Sequence, residues 1–283
     1  MYGLVIVAVI MFGLTFFTNE KYQKETGSGL YQAMHYNLLC CVLSLPIMFA
    51  FNGFKIEYTH FTLVFALLAC ANNLLFIICS LHAFNRVNLS VYSMLCMLGG
   101  MLLPVVVGIV FYNEKITLGL ILCIVFVIVS LAIMLDKKSG TKKGGFLIYA
   151  GVFVFNGLSG VLSKIYTDAT MPKASSMGYS LLIVMVTLVI CLIAVLCLHR
   201  KRISVSKTAV FSGLVSGPLS KIANYFLLVA LAVLPSSVNY SFVTGGTIIV
   251  STIIACFTKN KPKTREWIAV AIAFVGILLL TLL

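Results

Sequence analysis

The chain has 283 residues, 61% hydrophobic and only 10% charged, with a mean hydropathy of +1.12. Soluble domains hold about 45–50% apolar and about 25% charged residues, so this composition excludes a soluble globular protein and makes the membrane span the unit of counting. The formal charge of +13, from 20 Lys and Arg against 7 Asp and Glu, would suggest nucleic acid in a soluble chain; in a membrane chain it asks which loops carry the cations.

A helix must stay apolar for about 20 residues to cross the hydrocarbon and must satisfy its own backbone. Stretches free or nearly free of Asp, Glu, Lys and Arg predict ten helices, at 2–18, 30–51, 61–84, 88–111, 117–135, 146–165, 175–198, 209–231, 236–257 and 266–283. The break between the eighth and ninth rests on Leu234-Pro235-Ser236-Ser237, since no charge occurs from Ile222 to Thr258. The first stretch is apolar from Met1 with neither a basic leader nor a small-residue cleavage site, and reads as a retained span. Nine cysteines lie inside apolar stretches without metal-ligand spacing and read as small membrane-core residues.

The loops after helices 1, 3, 5, 7 and 9 carry Lys21 and Lys24; Arg86; Lys137, Lys138, Lys142 and Lys143; Arg200, Lys201, Arg202 and Lys207; and Lys259, Lys261, Lys263 and Arg265. The opposite side receives only Lys55, Lys115, Lys164 and Lys173. The positive-inside rule places the first group in the cytoplasm and both termini outside, as in a multi-pass protein of the cell (inner or plasma) membrane. As structure, these clusters serve orientation and contact with lipid headgroups.

One polar linker, residues 136–145, separates residues 1–135 from residues 146–283, five predicted helices each. Gly99-Gly100 and Gly245-Gly246 are 146 residues apart, and at the same offset Ser90 meets Ser236, Phe111 meets Phe257 and Lys115 meets Lys261. Phe12-Gly13-Leu14 and Asn156-Gly157-Leu158 open the matching helices at offset 144. Five spans per half force the second half to enter the membrane in the opposite sense, which predicts two inverted repeats. Secondary transporters use that arrangement, with substrate near the midplane between the halves.

Four places carry a family resemblance. They are Gly13 to Glu20 with Gly157 to Lys164; Leu89-Ser90 through Gly99-Gly100 to Phe111-Tyr112-Asn113-Glu114-Lys115; and Trp267 to Gly276-Ile277-Leu278. In these features the chain resembles the drug/metabolite transporter superfamily, in particular its ten-helix EamA-type members, over essentially its whole length. Asn260 stands as the second-half counterpart of Glu114. Met101 and Thr247 stand where that family often has Pro, Pro104 follows three residues after Met101, and His35 stands near a position often filled by Arg. The resemblance implies a central cavity lined by helices 1 to 4 and 6 to 9, with helices 5 and 10 peripheral, and movement of small metabolites or drugs.

Lys221 is the one cation at the centre of a span, in Ser216-Gly217-Pro218-Leu219-Ser220-Lys221-Ile222-Ala223-Asn224. An ammonium there costs about 2.5–3.5 kcal/mol on insertion scales and asks for a partner. That partner is an anionic substrate group, such as a carboxylate, held with help from Ser220 and Asn224; or it is Glu20 or backbone carbonyls; or the side chain snorkels. Further candidate substrate contacts are His35, Asn72, Tyr92, Asn156, Tyr179, Asn239 and Tyr240, each of which equally suits an interhelical hydrogen bond. His35 is accompanied by Asn37, Asn72 by Asn73, Asn156 by Ser159, and Tyr240 by Thr244.

Pro218, beside Gly217, is placed to kink or break its helix, while Gly213 and Gly217 suit close packing. Gly99, Gly100, Gly245 and Gly246 are read as sites of close packing or gating flexure. No Asp or Glu lies at midspan, and no Walker loop, HExxH pair, Gly-x-Ser-x-Gly elbow or Cys/His metal pattern occurs, so enzymatic chemistry, cofactor and metal are not expected. The expected function is secondary transport of a small organic solute by alternating access, by a monomer or homodimer in the lipid bilayer. Alternatives are a lipid-linked carrier translocase and a non-transporting sensor or partner subunit.

Overall fold

A computed structural model of the chain describes residues 2–87, 89–112, 117–134, 145–198, 205–231, 236–258 and 262–282. Among them are ten helices and no strand: α1 (Tyr2–Thr26), α2 (Leu30–Phe51), α3 (His60–Phe84), α4 (Leu89–Tyr112), α5 (Leu118–Met134), α6 (Gly145–Asp168), α7 (Ser176–Cys197), α8 (Lys207–Leu231), α9 (Ser236–Cys256) and α10 (Thr264–Leu282). Six of them, within α1, α2, α3, α4, α6 and α7, are long and apolar enough to cross a membrane, while the apolar parts of α5 and α9 found by the same test are shorter. The protein is a helical membrane protein. The linker at 136–144 and the cations at 137, 138, 142, 143, 200–202, 259 and 261 lie outside the described residues.

The first helix overruns its predicted end at 18. It continues to Thr26 because Glu20 and Lys24, one turn apart, pair at 2.5 Å and carry the helix through its charged segment. At 25 residues it is about 37 Å long, more than the roughly 30 Å of hydrocarbon. Gly27 ends it at φ +89°, where its N–H reaches the Gln23 carbonyl at 2.7 Å. The remaining bounds fall within a few residues of those expected.

Side-chain caps satisfy several helix starts. Thr59 accepts from the Thr62 N–H at 3.1 Å, Ser175 from the Gly178 N–H at 3.0 Å and Ser206 from the Ala209 N–H at 3.1 Å. Glu57, ahead of α3, accepts from the Ser175 N–H and hydroxyl at 2.5 and 2.9 Å and ties the α2–α3 loop to the start of α7. At the end of α6, the Lys173 ammonium donates to the carbonyls of Tyr166, Thr167 and Ala169.

The helices pack in recurring pairs: α1 with α8 and α9, α6 with α3 and α4, α2 with α7 and α8, α4 with α9, and α5 with α10. Helices α5 and α10 stand outside α4 and α9, against the buried cluster of Met94, Leu98, Met101, Cys123, Ile248 and Ala269. The Ser130 hydroxyl, fully buried, donates to the Ala269 carbonyl at 2.7 Å and joins α5 to α10. Bundle faces turned away from the interior are apolar and exposed, as at Val64, Leu68, Leu75, Val189 and Ile193.

Backbones approach most closely at small residues. A Cβ built on Gly99 would meet the Phe153 carbonyl oxygen at 2.1 Å, and one on Gly217 would meet that of Cys40 at 2.0 Å. Gly99→Ala is therefore expected to lose about 1–3 kcal/mol of stability by overpacking, read as a lowered midpoint of thermal unfolding in detergent. Gly3→Ala, where nothing lies within 4 Å, is the matched control. Equal midpoints for the two variants would contradict this packing.

Candidate functional site

A cavity of about 300 Å³ lies between α1, α2, α3 and α4 on one hand and α6, α7, α8 and α9 on the other, and none of the described side chains of α5 or α10 lines it. Each contributing helix is apolar nearly all round, so its few polar residues go where water or another helix can reach them. Along α8 the lining runs from Ser216 to Leu227, along α6 from Phe155 to Thr167, and on α7 it begins at Ser176. Thr167, Ser176 and Asn224 are exposed, so the cavity reaches the surface at the C-terminal ends of α6 and α8 and the N-terminal end of α7.

At its other end the cavity stops at a buried polar cluster. Tyr36 on α2 hydrogen-bonds both Asn19 on α1 and Ser216 on α8, and the Ser216 hydroxyl donates to Asn19 Oδ1 at 2.9 Å. Beyond it, α4 and α9 are joined by buried hydroxyl pairs, Ser90 with Thr252 at 2.9 Å and Ser93 with Ser251 at 2.5 Å. Asn19 and Tyr36 were not expected at the site. Ending the first span at residue 18 put Asn19 outside it, and Tyr36 sat unremarked between His35 and Asn37.

Of the sequence-derived candidates, Lys221, Ser220, Asn224, Asn72, Asn156 and Tyr179 line the cavity, as do their companions Asn37, Asn73, Ser159 and Thr244. Several of the amides also bridge helices. The Asn72 amide donates to the Phe155 carbonyl at 2.9 Å and the Asn156 amide to the Cys96 carbonyl at 2.6 Å. Asn72 Oδ1 is buried and lacks a hydrogen-bond partner among the described residues. Tyr179 stacks on Tyr166 with centroids 4.0 Å apart, and the Asn224 amide donates to the Ser220 carbonyl at 2.8 Å.

Two candidates lie elsewhere. His35 turns into a stack with Tyr22 and Tyr31, its Nδ1 2.9 Å from the Tyr22 hydroxyl. Tyr92 is fully buried against Phe16 and Phe84 and donates to Ser80 at 2.9 Å, so both rings hold helices together and neither lines the cavity. The side chains of Asn239 and Tyr240, and Glu114 and Asn260 altogether, fall outside the described residues.

The proline and glycine expectations separate. Helix α8 is unbroken from Lys207 to Leu231, so Pro218 does not split it. Gly213 and Gly217 face Leu39 and the Cys40 carbonyl, and this close packing sets α2 against the part of α8 that carries Lys221. Gly99 packs on the α6 backbone at Phe153 and Gly246 on the Val9 side chain; Gly100 lines the cavity beside Asn156, and Gly245 is buried.

Lys221 is half-buried and is the only charged side chain among the described lining residues. Its ammonium makes no hydrogen bond or ion pair among the described residues. Glu20, a partner envisaged from sequence, is held by Lys24 within α1.

No family profile matches the sequence, and no curated protein matches it. A solved crystal structure of another protein is similar with a TM-score of 0.64 at 12% identity, over 99% of this chain and 97% of that chain. At that identity the likeness is one of fold.

Tyr36→Phe keeps the ring and removes the hydroxyl that meets both Asn19 and Ser216. It is expected to cost about 1–2 kcal/mol in detergent unfolding, whereas Tyr2→Phe, at an exposed position, leaves stability unchanged. Wild-type stability of Tyr36→Phe would show that the cluster does not hold the cavity's closed end.

Proposed function

We propose that the chain is a secondary transporter of the cell (inner or plasma) membrane that moves a small organic solute by alternating access. In this reading ten transmembrane helices form two inverted five-helix repeats, residues 1–135 and 146–283. Support comes from the packing pairs, which exchange when each helix is advanced by five: α1 with α8 becomes α6 with α3, α1 with α9 becomes α6 with α4, and α2 with α8 becomes α7 with α3. The resemblance to the drug/metabolite transporter superfamily implies the same division between lining helices and a peripheral fifth and tenth.

The observation that carries the proposal is the cavity between the halves, with Lys221 as the one charged residue among its described lining. A membrane protein that only needed stable packing would gain nothing from an unpaired ammonium beside a void. The volume, about 300 Å³, sits at the lower end of the roughly 300–1,000 Å³ of small-molecule pockets. That suits a compact solute better than a lipid-linked headgroup with its tail. With the cationic loops in the cytoplasm and both termini outside, the cavity opens to the extracytoplasmic side and is closed toward the cytoplasm by the Asn19, Tyr36 and Ser216 cluster.

A flux assay tests this in proteoliposomes preloaded with each unlabelled solute, using a radiolabelled panel of organic anions, amino acids, sugars and organic cations. Wild-type protein is expected to move at least one anion. Lys221→Met, folded to the wild-type melting midpoint, is expected to move it at least about 10-fold more slowly, the loss of about 1.4 kcal/mol of binding. Unchanged flux in the variant would remove Lys221 from the mechanism, and absence of flux across the panel would contradict transport.

A further inference from the structure

The charge inventory of the cavity is one-sided. Lys221 lines it and none of the described acidic residues does. Four of those acids are engaged elsewhere: Glu20 with Lys24, Glu25 accepting from the Ser206 hydroxyl at 2.7 Å, Glu57 with Ser175, and Glu266 accepting from the Lys263 N–H at 3.2 Å; the fifth, Asp168, is exposed at the C-terminal end of α6 and does not line the cavity. Lys221 lies one turn inside the exposed Asn224, so in the open form water reaches its ammonium. Alternating access requires the mouth between α6, α7 and α8 to close over it, and closure takes that water away.

An empty cavity that closes therefore buries a bare ammonium. A cavity holding one carboxylate at Lys221 closes as a neutral pair. A dianion would leave one net negative charge and a zwitterion one net positive charge, each unpaired in a low-dielectric interior. Among the described residues no guanidinium lines the cavity to meet a phosphate with a two-pronged contact. The rings of Phe12, Phe16, Phe76 and Phe155 offer an apolar wall for the rest of a small acid.

Resting on the transporter reading above, we propose that the substrate is a small monocarboxylate and that closure of the cavity requires one to be bound, so that the protein runs as an exchanger. The empty carrier returns slowly because Lys221 has no counter-charge among the described lining residues. A slowing of about 100-fold corresponds to about 2.7 kcal/mol at about 1.36 kcal/mol per tenfold in rate, which lies within the insertion cost of a central lysine.

The test uses the purified full chain in proteoliposomes at neutral pH, with radiolabelled pyruvate and phenylpyruvate outside and alanine and succinate as comparison solutes. Luminal unlabelled monocarboxylate is expected to raise initial uptake about 100-fold over an anion-free lumen, and luminal alanine or succinate to leave it unchanged. Lys221→Arg is expected to retain this stimulation and Lys221→Met to lose it; if the latter fails to fold, the wild-type comparison of loaded and empty vesicles decides. Equal uptake into loaded and empty vesicles overturns exchange and leaves transport standing. Uptake into anion-free vesicles driven by an imposed proton gradient also overturns it, since the empty carrier would then return without a bound anion. Flux of alanine or succinate without either monocarboxylate overturns the substrate class alone. Absence of flux for every solute overturns both readings.

Discussion

An ammonium set in the middle of an apolar helix, with no carboxylate among the described residues that line the space beside it, restricts what the surrounding helices can do. Lipid cannot solvate it, so α8 must turn Lys221 toward a space that water enters, and the neighbouring helices must frame that space. Gly217 brings the α2 backbone close beside it, and Gly213 extends the same contact. On the far wall Gly99 lets α4 rest on α6 at Phe153, while the Asn72 and Asn156 amides cross to carbonyls of neighbouring helices and keep that wall polar without charge. Close approach and amide bridging pair most of the polar groups described there; Asn72 Oδ1 is left without a partner, and Lys221 is the one charge on the described lining.

The two ends of the cavity are held differently. Its closed end depends on short polar side chains meeting between helices: Asn19, Tyr36 and Ser216 from α1, α2 and α8, and the serine and threonine pairs between α4 and α9. Such bonds average roughly 0.6 kcal/mol each within a membrane protein, so a set of them closes an end without locking it. At the open end the contacts run within the α6–α7 connection and to the loop before α3, through Lys173 and Glu57, and leave α8 free of them. In the proposed transport cycle, opening one end and closing the other exchanges a modest number of weak bonds, the scale of difference that binding a single solute can offset.

Helix positions were legible because charge marks where a span must stop, and Lys221 stood out because it breaks that rule. The outward place of α5 and α10 came from the family resemblance. What could not be read was rotation about each helix axis. The spans are apolar on nearly every face, so nothing in the sequence told that His35 would turn into the Tyr22 and Tyr31 stack, or that Tyr92 would be buried against Phe16 and Phe84 while Tyr179 lines the cavity. Asn19 was missed for the opposite reason: the neighbouring Glu20 and Lys21 looked like a helix end, whereas the Glu20–Lys24 pair carries α1 onward. The packing around α8 also overrode the local expectation for Pro218, which the helix accommodates without a break.

A crystal structure of the protein soaked with a small brominated monocarboxylate, such as bromopropionate, bears most directly on Lys221 as the anchor of a substrate anion. Anomalous density for the bromine should fall inside the cavity, with the carboxylate within hydrogen-bonding distance of the Lys221 ammonium, and should vanish in Lys221→Met crystals. Density that persists in the variant, or a bromine bound only outside the space between α1–α4 and α6–α9, would contradict it.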